Sequence, residues 1–295
     1  MLNLGIPMEH LLKRTKTLKQ TGSGSRGTRK ASTRTIINSI RGLQNYDRYF
    51  ITLDCDGSGP FTKHRTPSFT QLRLLCNGER LSTVSRNIEL LLKNWLHVQI
   101  QLATALQLLH SNGLVHGDVH LDSIIIDKDY KARLCSFGHS YSVKELDVVL
   151  EFEPSNDNHA PELDYAAGVL KGLPAEKVIK TIFEKKAVLN EIDEVYSRNR
   201  SGQEIFTSFT AFSAPDSYLR SYGTCADMWS LGYQLYTLYK HIITSSYGVH
   251  SDFYRRCHHE QMRILGTLLH PDPRQRLTAD ALLTELFTIK MNFNE

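Results

Sequence analysis

Along most of the chain after residue 88, apolar residues recur every three or four positions. In Leu90–His110 they fall at Leu92, Trp95, Leu96, Ile100, Ala103, Leu106 and Leu109, which marks a helix with a wide face suited to burial. Ser111-Asn112-Gly113 follows, and a glycine just past the last periodic position stops a helix. Ala175–Tyr196 carries Val178, Ile182, Leu189, Ile192 and Val195 at helical intervals, and Ala226–Tyr239 carries Trp229, Leu231, Leu235 and Leu238. Two more helices are expected at Gln261–Leu269 and Ala279–Phe287. The N-terminal third reads differently. Ile36, Ile37, Ile40 and Leu43 give Thr35–Leu43 the pattern of one short amphipathic helix. Tyr49–Leu53 is rich in β-formers and reads as a strand. Asp54–Pro67, with its Pro and Gly signals, reads as loop, and Gln71–Cys76 as a second strand stopped by Asn77-Gly78. Ser123–Ile126 and Ala132–Leu134 flank Asp127-Lys128-Asp129 and predict a hairpin. The expected class is α+β: a small strand-containing part, then a large helical one, with no internal repeat.

The 295 residues suffice for one large domain or two lobes. At 41% hydrophobic and 22% charged the composition is that of an ordinary globular chain. No apolar run reaches membrane-spanning length, and Met1–Pro7 is too short and interrupted for a signal-peptide core. A cytoplasmic location without membrane attachment is therefore expected. The five cysteines (Cys55, Cys76, Cys135, Cys225 and Cys257) include no C-x-x-C pair, so reduced thiols are expected rather than a metal site or disulfide framework. Net charge is only +4, but residues 1–35 hold Lys13, Arg14, Lys16, Lys19, Arg26, Arg29, Lys30 and Arg34 against one acid, Glu9. Such an arm can contact nucleic acid or an acidic surface. No aromatic residue is interleaved in it to stack on bases. A solvated basic arm is the simpler reading, and nucleic-acid binding through residues 13–34 the alternative.

Five short signals then occur in order: His116-Gly117-Asp118, Ser136-Phe137-Gly138, Ala160-Pro161-Glu162, Asp227-Met228-Trp229-Ser230-Leu231-Gly232, and Arg276 in Pro271–Arg276. Each is weak alone. Together the chain resembles the eukaryotic-type protein kinases over about residues 70–290. Their corresponding motifs are His-Arg-Asp, Asp-Phe-Gly, Ala-Pro-Glu, Asp-x-Trp-Ser-x-Gly and the closing arginine. The resemblance implies a reduced N-terminal lobe at 36–80 and a mainly helical C-terminal lobe at 81–290, after a flexible arm at 1–35. It implies a catalytic carboxylate at Asp118 beside a buried His116, since phosphoryl transfer needs a group to orient the attacking hydroxyl and accept its proton. It also implies structural roles: a buried ion pair for Glu162 and Arg276, and hydrogen bonds to the catalytic-loop backbone for Asp227.

The departures from the family are chemical. Magnesium wants hard oxygen ligands, but the two family positions that supply them read Ser123 and Ser136, before Phe137 and Gly138. Asp122, next to Ser123, is the one substitute ligand in view. The family's phosphate-facing lysine is His120, which contributes a charge only when protonated. Gly22, Gly24 and Gly27 satisfy G-x-G-x-x-G, yet no strand with a lysine follows them, and the helix at Ile36 holds no Glu to pair with Lys30. A Gly/Ser linker over residues 20–33 is the simpler reading. Ser140, Ser142 and Ser155 lie before Ala160, but hydroxyls alone designate no modification site. Glu162 and Asp227 stand 65 positions apart, which implies an insertion at about 165–220. With Tyr46–Ile51 after a short helix, it is similar to divergent kinase-like proteins of large DNA viruses. The first expectation is a pseudokinase, a scaffold or regulator with a protein partner and no cofactor. The second is an active Ser/Thr kinase using ATP and Mg²⁺. The third is nucleic-acid binding through the arm.

Overall fold

The computed structural model describes residues 35–52, 78–84, 87–143, 156–189, 191, 215–245 and 251–294. The basic arm, Gly22, Gly24, Gly27, Lys30, Asp54–Pro67, Gln71–Cys76 and Ser155 lie outside them. The short helix α1 (35–41) buries Ile36, Ile37 and Ile40, as its spacing predicts. The strand expected at Tyr49–Leu53 is not formed over its described residues, 49–52. Tyr46–Tyr49 is a helical turn, α2, entered through Asn45 in the left-handed region (φ 58°), and the Phe50 N–H closes it on Tyr46 O at 2.8 Å. This local bond, with Tyr46 and Tyr49 packed on the core, outweighs β propensity. Phe50 makes only a lone parallel bridge to Leu134, with Ile51 N–H donating to Leu134 O at 2.8 Å.

Strand β1 (Gly78–Arg80) leads into a one-turn helix, α3 (Leu81–Val84). The single helix expected at Leu90–His110 is two, α4 (Ile88–Lys93) and α5 (Trp95–Ser111). Asn94 separates them: its side-chain amide donates back to Leu90 O at 3.0 Å, the kind of local bond with which Asn competes against helix propagation. α5 buries Trp95, Val98, Leu102, Leu106 and Leu109, and packs along the final helix α10 (Ala279–Asn294). Its one fully buried amide, Gln99, trades hydrogen bonds of 3.1 and 2.9 Å with Gln261 of α9 (Asp252–Leu268), while Trp95 Nε1 donates to the same Gln261. A buried amide pair satisfied in this way fixes the register of two helices that an all-apolar contact would leave looser.

Gly113 (φ 68°) turns the chain out of α5 into β2 (Leu114–Val115). The expected hairpin forms as β3 (Ile124–Asp127) and β4 (Ala132–Leu134), with Ile125 opposite Arg133. β1 adds antiparallel to β3, with Glu79 opposite Ile126, and β2 pairs with β5 (Tyr141–Ser142). Two layers follow: α6 (Pro161–Leu170) against α7 (Ala175–Lys185), and α8 (Pro215–Thr244) against α9. The helix expected over Ala175–Tyr196 is interrupted at Lys186, which turns extended with its side chain fully buried; helix resumes at 187–189, and residues 192–196 lie outside the described residues. α8 runs well past both ends of Ala226–Tyr239, and its Trp229, Leu231 and Leu235 are fully buried. Among the described residues no helix is long and apolar enough to cross a membrane. Among the described residues Cys135, Cys225 and Cys257 form no disulfide; Cys55 and Cys76 lie outside them.

Candidate active site

β2 leads directly into His116, whose ring is fully buried. Its Nδ1 accepts the Asp118 N–H at 3.3 Å, so the ring proton belongs on Nε2, 3.0 Å from Cys135 O. Burial pushes the His116 pKa down, against the pull of Asp227 and Asp118, and keeps the ring neutral. Phe137 lies against that ring at 5.1 Å and against Phe50 at 5.9 Å. Gly117 adopts φ 77°, and a Cβ there would sit 2.5 Å from His139 O. Only glycine fits this backbone. Asp227, 2% exposed and projecting from α8, accepts the N–H groups of His116 and Gly117, both at 2.8 Å, and meets His110 Nε2 at 3.0 Å. Ser140 Oγ donates to His116 O at 2.8 Å. The loop is thus held from both sides.

Asp118 emerges from this frame partly exposed, its carboxylate 3.5 Å from His120 Nε2. Burial alone would raise its pKa, but the bond and charge of His120, with His139 and His116 behind, hold it below the ordinary carboxylate range. His120 is raised in turn, chiefly by its bond to Asp118, against the opposing effect of burial. The next residues close on themselves. Ser123, fully buried, donates its hydroxyl to His120 O at 2.8 Å and accepts the His120 N–H at 2.9 Å, while His120 Nδ1 accepts the Asp122 N–H at 3.2 Å. Asp122 Oδ1 accepts the Ser82 hydroxyl of α3. Ser136 stands at φ 69°, ψ 49°, with Oγ 3.5 Å from Cys135 Sγ, and opens the turn Phe137–His139 that carries the exposed Gly138. A left-handed serine costs on the order of 1 kcal/mol. The packing of Phe137 holds it there.

The second cluster lies below. Arg276 uses all five donors: Glu162 Oε1 and Oε2 at 2.7 and 3.0 Å, Cys225 O at 2.7 Å, and His270 O from Nε and Nη2 at 3.1 and 3.0 Å. The guanidinium also lies 5.2 Å from the Trp229 ring centroid. Both partners of the pair are fully buried. A buried pair of this kind survives desolvation only when every donor is met.

A family model described as protein tyrosine and serine/threonine kinase matches residues 54–158, about a third of the chain. Serine/threonine-protein kinase ppk16 of Schizosaccharomyces pombe is 41% identical over 64 residues, covering 22% of this chain and 10% of that protein. The chain therefore spans about a tenth of the curated relative it matches. Over residues 54–158 the chain is similar to protein kinases.

The kinase-like match ends at residue 158, so the roles of Glu162, Asp227 and Arg276 stand on the geometry given above. The positions that a magnesium ion would need do not fit one. Ser123 is sealed inside its own loop, Asp122 is engaged by Ser82, and Ser136 offers a neutral hydroxyl. Among the described residues no group of three or more His, Cys, Asp or Glu side chains is placed to hold a metal. Asp118, His116 and His120 do come together. Sequence reasoning missed His110, Ser82 and the Ser140 bond. His110 carried a legible signal, an imidazole in the last turn of a long helix, whereas nothing in the sequence singles out one serine hydroxyl among many.

Proposed function

We propose that this protein is a pseudokinase: a protein-kinase-like scaffold or regulator that binds a protein partner and transfers no phosphate. The buried Ser123 hydroxyl carries the reading. It is spent on both backbone groups of His120, so this position stabilises the loop and offers a cation nothing. Catalysis of phosphoryl transfer is mostly positioning and charge neutralisation, and the groups that neutralise charge are the ones missing. A second reading, an active divergent Ser/Thr kinase, is favoured by one observation: Asp118 is held ionised on a well-anchored loop. We extend the proposal to a virion or host-cytoplasm setting, on the resemblance in sequence of the insertion, with Tyr46–Ile51, to divergent kinase-like proteins of large DNA viruses. The deciding experiment is labelled-ATP transfer by the purified chain to itself and to a generic protein substrate. No transfer is expected. Transfer that disappears in Asp118→Asn would establish the second reading; transfer that persists in that variant belongs to a contaminant.

A further inference from the structure

The segment before α6 is held in an unusual way. From Asn156 to His159, each carbonyl accepts a bond from a side chain remote in sequence. Trp229 Nε1 donates to Asp157 O at 2.8 Å and Ser230 Oγ to Asn158 O at 2.8 Å. The other two bonds, to Asn156 O at 2.6 Å and His159 O at 2.8 Å, come from one ammonium, Lys186 Nζ. That ammonium is fully buried and sits 2.8 Å from the equally buried Asp164 carboxylate of α6. The two charges meet without hydrogen-bond alignment, so the aligned bonds of Lys186 go to the segment and its charge is balanced by α6. The residues after Lys186 continue the attachment. Val188 N–H reaches Asp157 Oδ1 at 3.5 Å, Val188 and Leu189 are buried, and Glu191 accepts from Tyr236 and Lys240 of α8 at 3.0 and 2.9 Å.

Lys186 ends the inserted helix α7. Burying an ammonium is costly unless it is paired and bonded, and here the partners that repay the cost are the backbone of 156–159 and Asp164. We propose that Lys186 is a latch by which the end of α7 fixes residues 156–160 in one conformation. The proposal is independent of whether the protein transfers phosphate.

Amide hydrogen exchange on the full chain tests it. In the native protein the Asn158 and His159 amides, bonded to Asn156 Oδ1 and Asn156 O, should exchange slowly. Lys186→Met keeps the stem and removes both carbonyl donors. It should speed exchange at 156–160 at least tenfold while α5 and α9 stay protected. Because it strands Asp164, it should also lower the Tm, by about 5 °C or more. The double variant Lys186→Met/Asp164→Leu should recover most of the Tm and still exchange fast at 156–160. Lys180→Met, on the exposed side of α7, should change neither. Native-like slow exchange at 156–160 in Lys186→Met overturns the latch. So does recovery of protection in the double variant, which would make charge balance rather than the carbonyl bonds the cause. Loss of protection throughout the molecule in both variants also overturns it, by making Lys186 a general core residue.

Discussion

The loop around Asp118 and the cluster around Arg276 are built from the same materials, buried polar groups against backbone, and have kept different things. At Arg276 the charges remain and all five donors are met. At the loop Asp227 and Ser140 support the backbone, while the Ser123 hydroxyl bonds inward to both backbone groups of His120. The lower cluster is held by a buried ion pair, and the loop by hydrogen bonds to its backbone. That asymmetry fits a molecule whose shape matters more than its chemistry.

Breaking the lower cluster should have the largest effect. Arg276→Met strands Glu162 in a fully buried site, and removing one partner of such a pair costs about 3–5 kcal/mol. Denaturant unfolding should show that loss; a change near zero would mean the pair contributes no more than its surroundings. The next test sharpens the contrast at the loop. Ser123→Asn with Ser136→Asp restores the family's residue types, but the larger amide side chain must fit where the buried Ser123 hydroxyl now bonds to both backbone groups of His120. Overpacking of that kind costs about 1–3 kcal/mol. The double variant should be less stable than the native chain and still transfer no phosphate. Gain of transfer would place the defect in those two residues alone. Ser140→Ala removes one bond to His116 O and should cost about 1 kcal/mol, measured by the shift in denaturant midpoint.

The smallest effect concerns protons. His120 is raised above its ordinary value of 6.5 by Asp118. A group raised on folding adds stability that is full below its unfolded pKa and is lost as pH rises through its folded one. Asp118, held low, adds stability that is present above its unfolded value of 3.8 and is lost in acid. An NMR titration of His120 should therefore give a midpoint above 6.5 that falls in Asp118→Asn. An unchanged midpoint would dissolve the pair. Both groups are about a third exposed, so solvent screening keeps the stability effect small.

The helical part of the fold was legible because its periodicity is long and strong: Trp95 through Leu109, and Trp229 through Leu238. The failures have local causes. Asn94 broke one expected helix with its own side chain, and Asn45 with the Phe50 N–H turned an expected strand into a helical turn. Lys186 interrupts the expected helix because its ammonium is held by backbone carbonyls 30 and 27 positions away and by the Asp164 carboxylate, and no periodicity encodes such contacts. At the site, residue types told which ligands were missing. They did not tell that Ser123 points inward or that Ser82 occupies Asp122, since both follow from three-dimensional pairing.

The most direct measurement is titration of nucleotide into the purified chain with Mg²⁺ and again with EDTA, read by calorimetry. The account predicts that Mg²⁺ adds nothing: either no binding in both conditions, or equal affinity in both. Tighter binding with Mg²⁺ that collapses on chelation would show a working metal site at Asp118–Ser136 and contradict it.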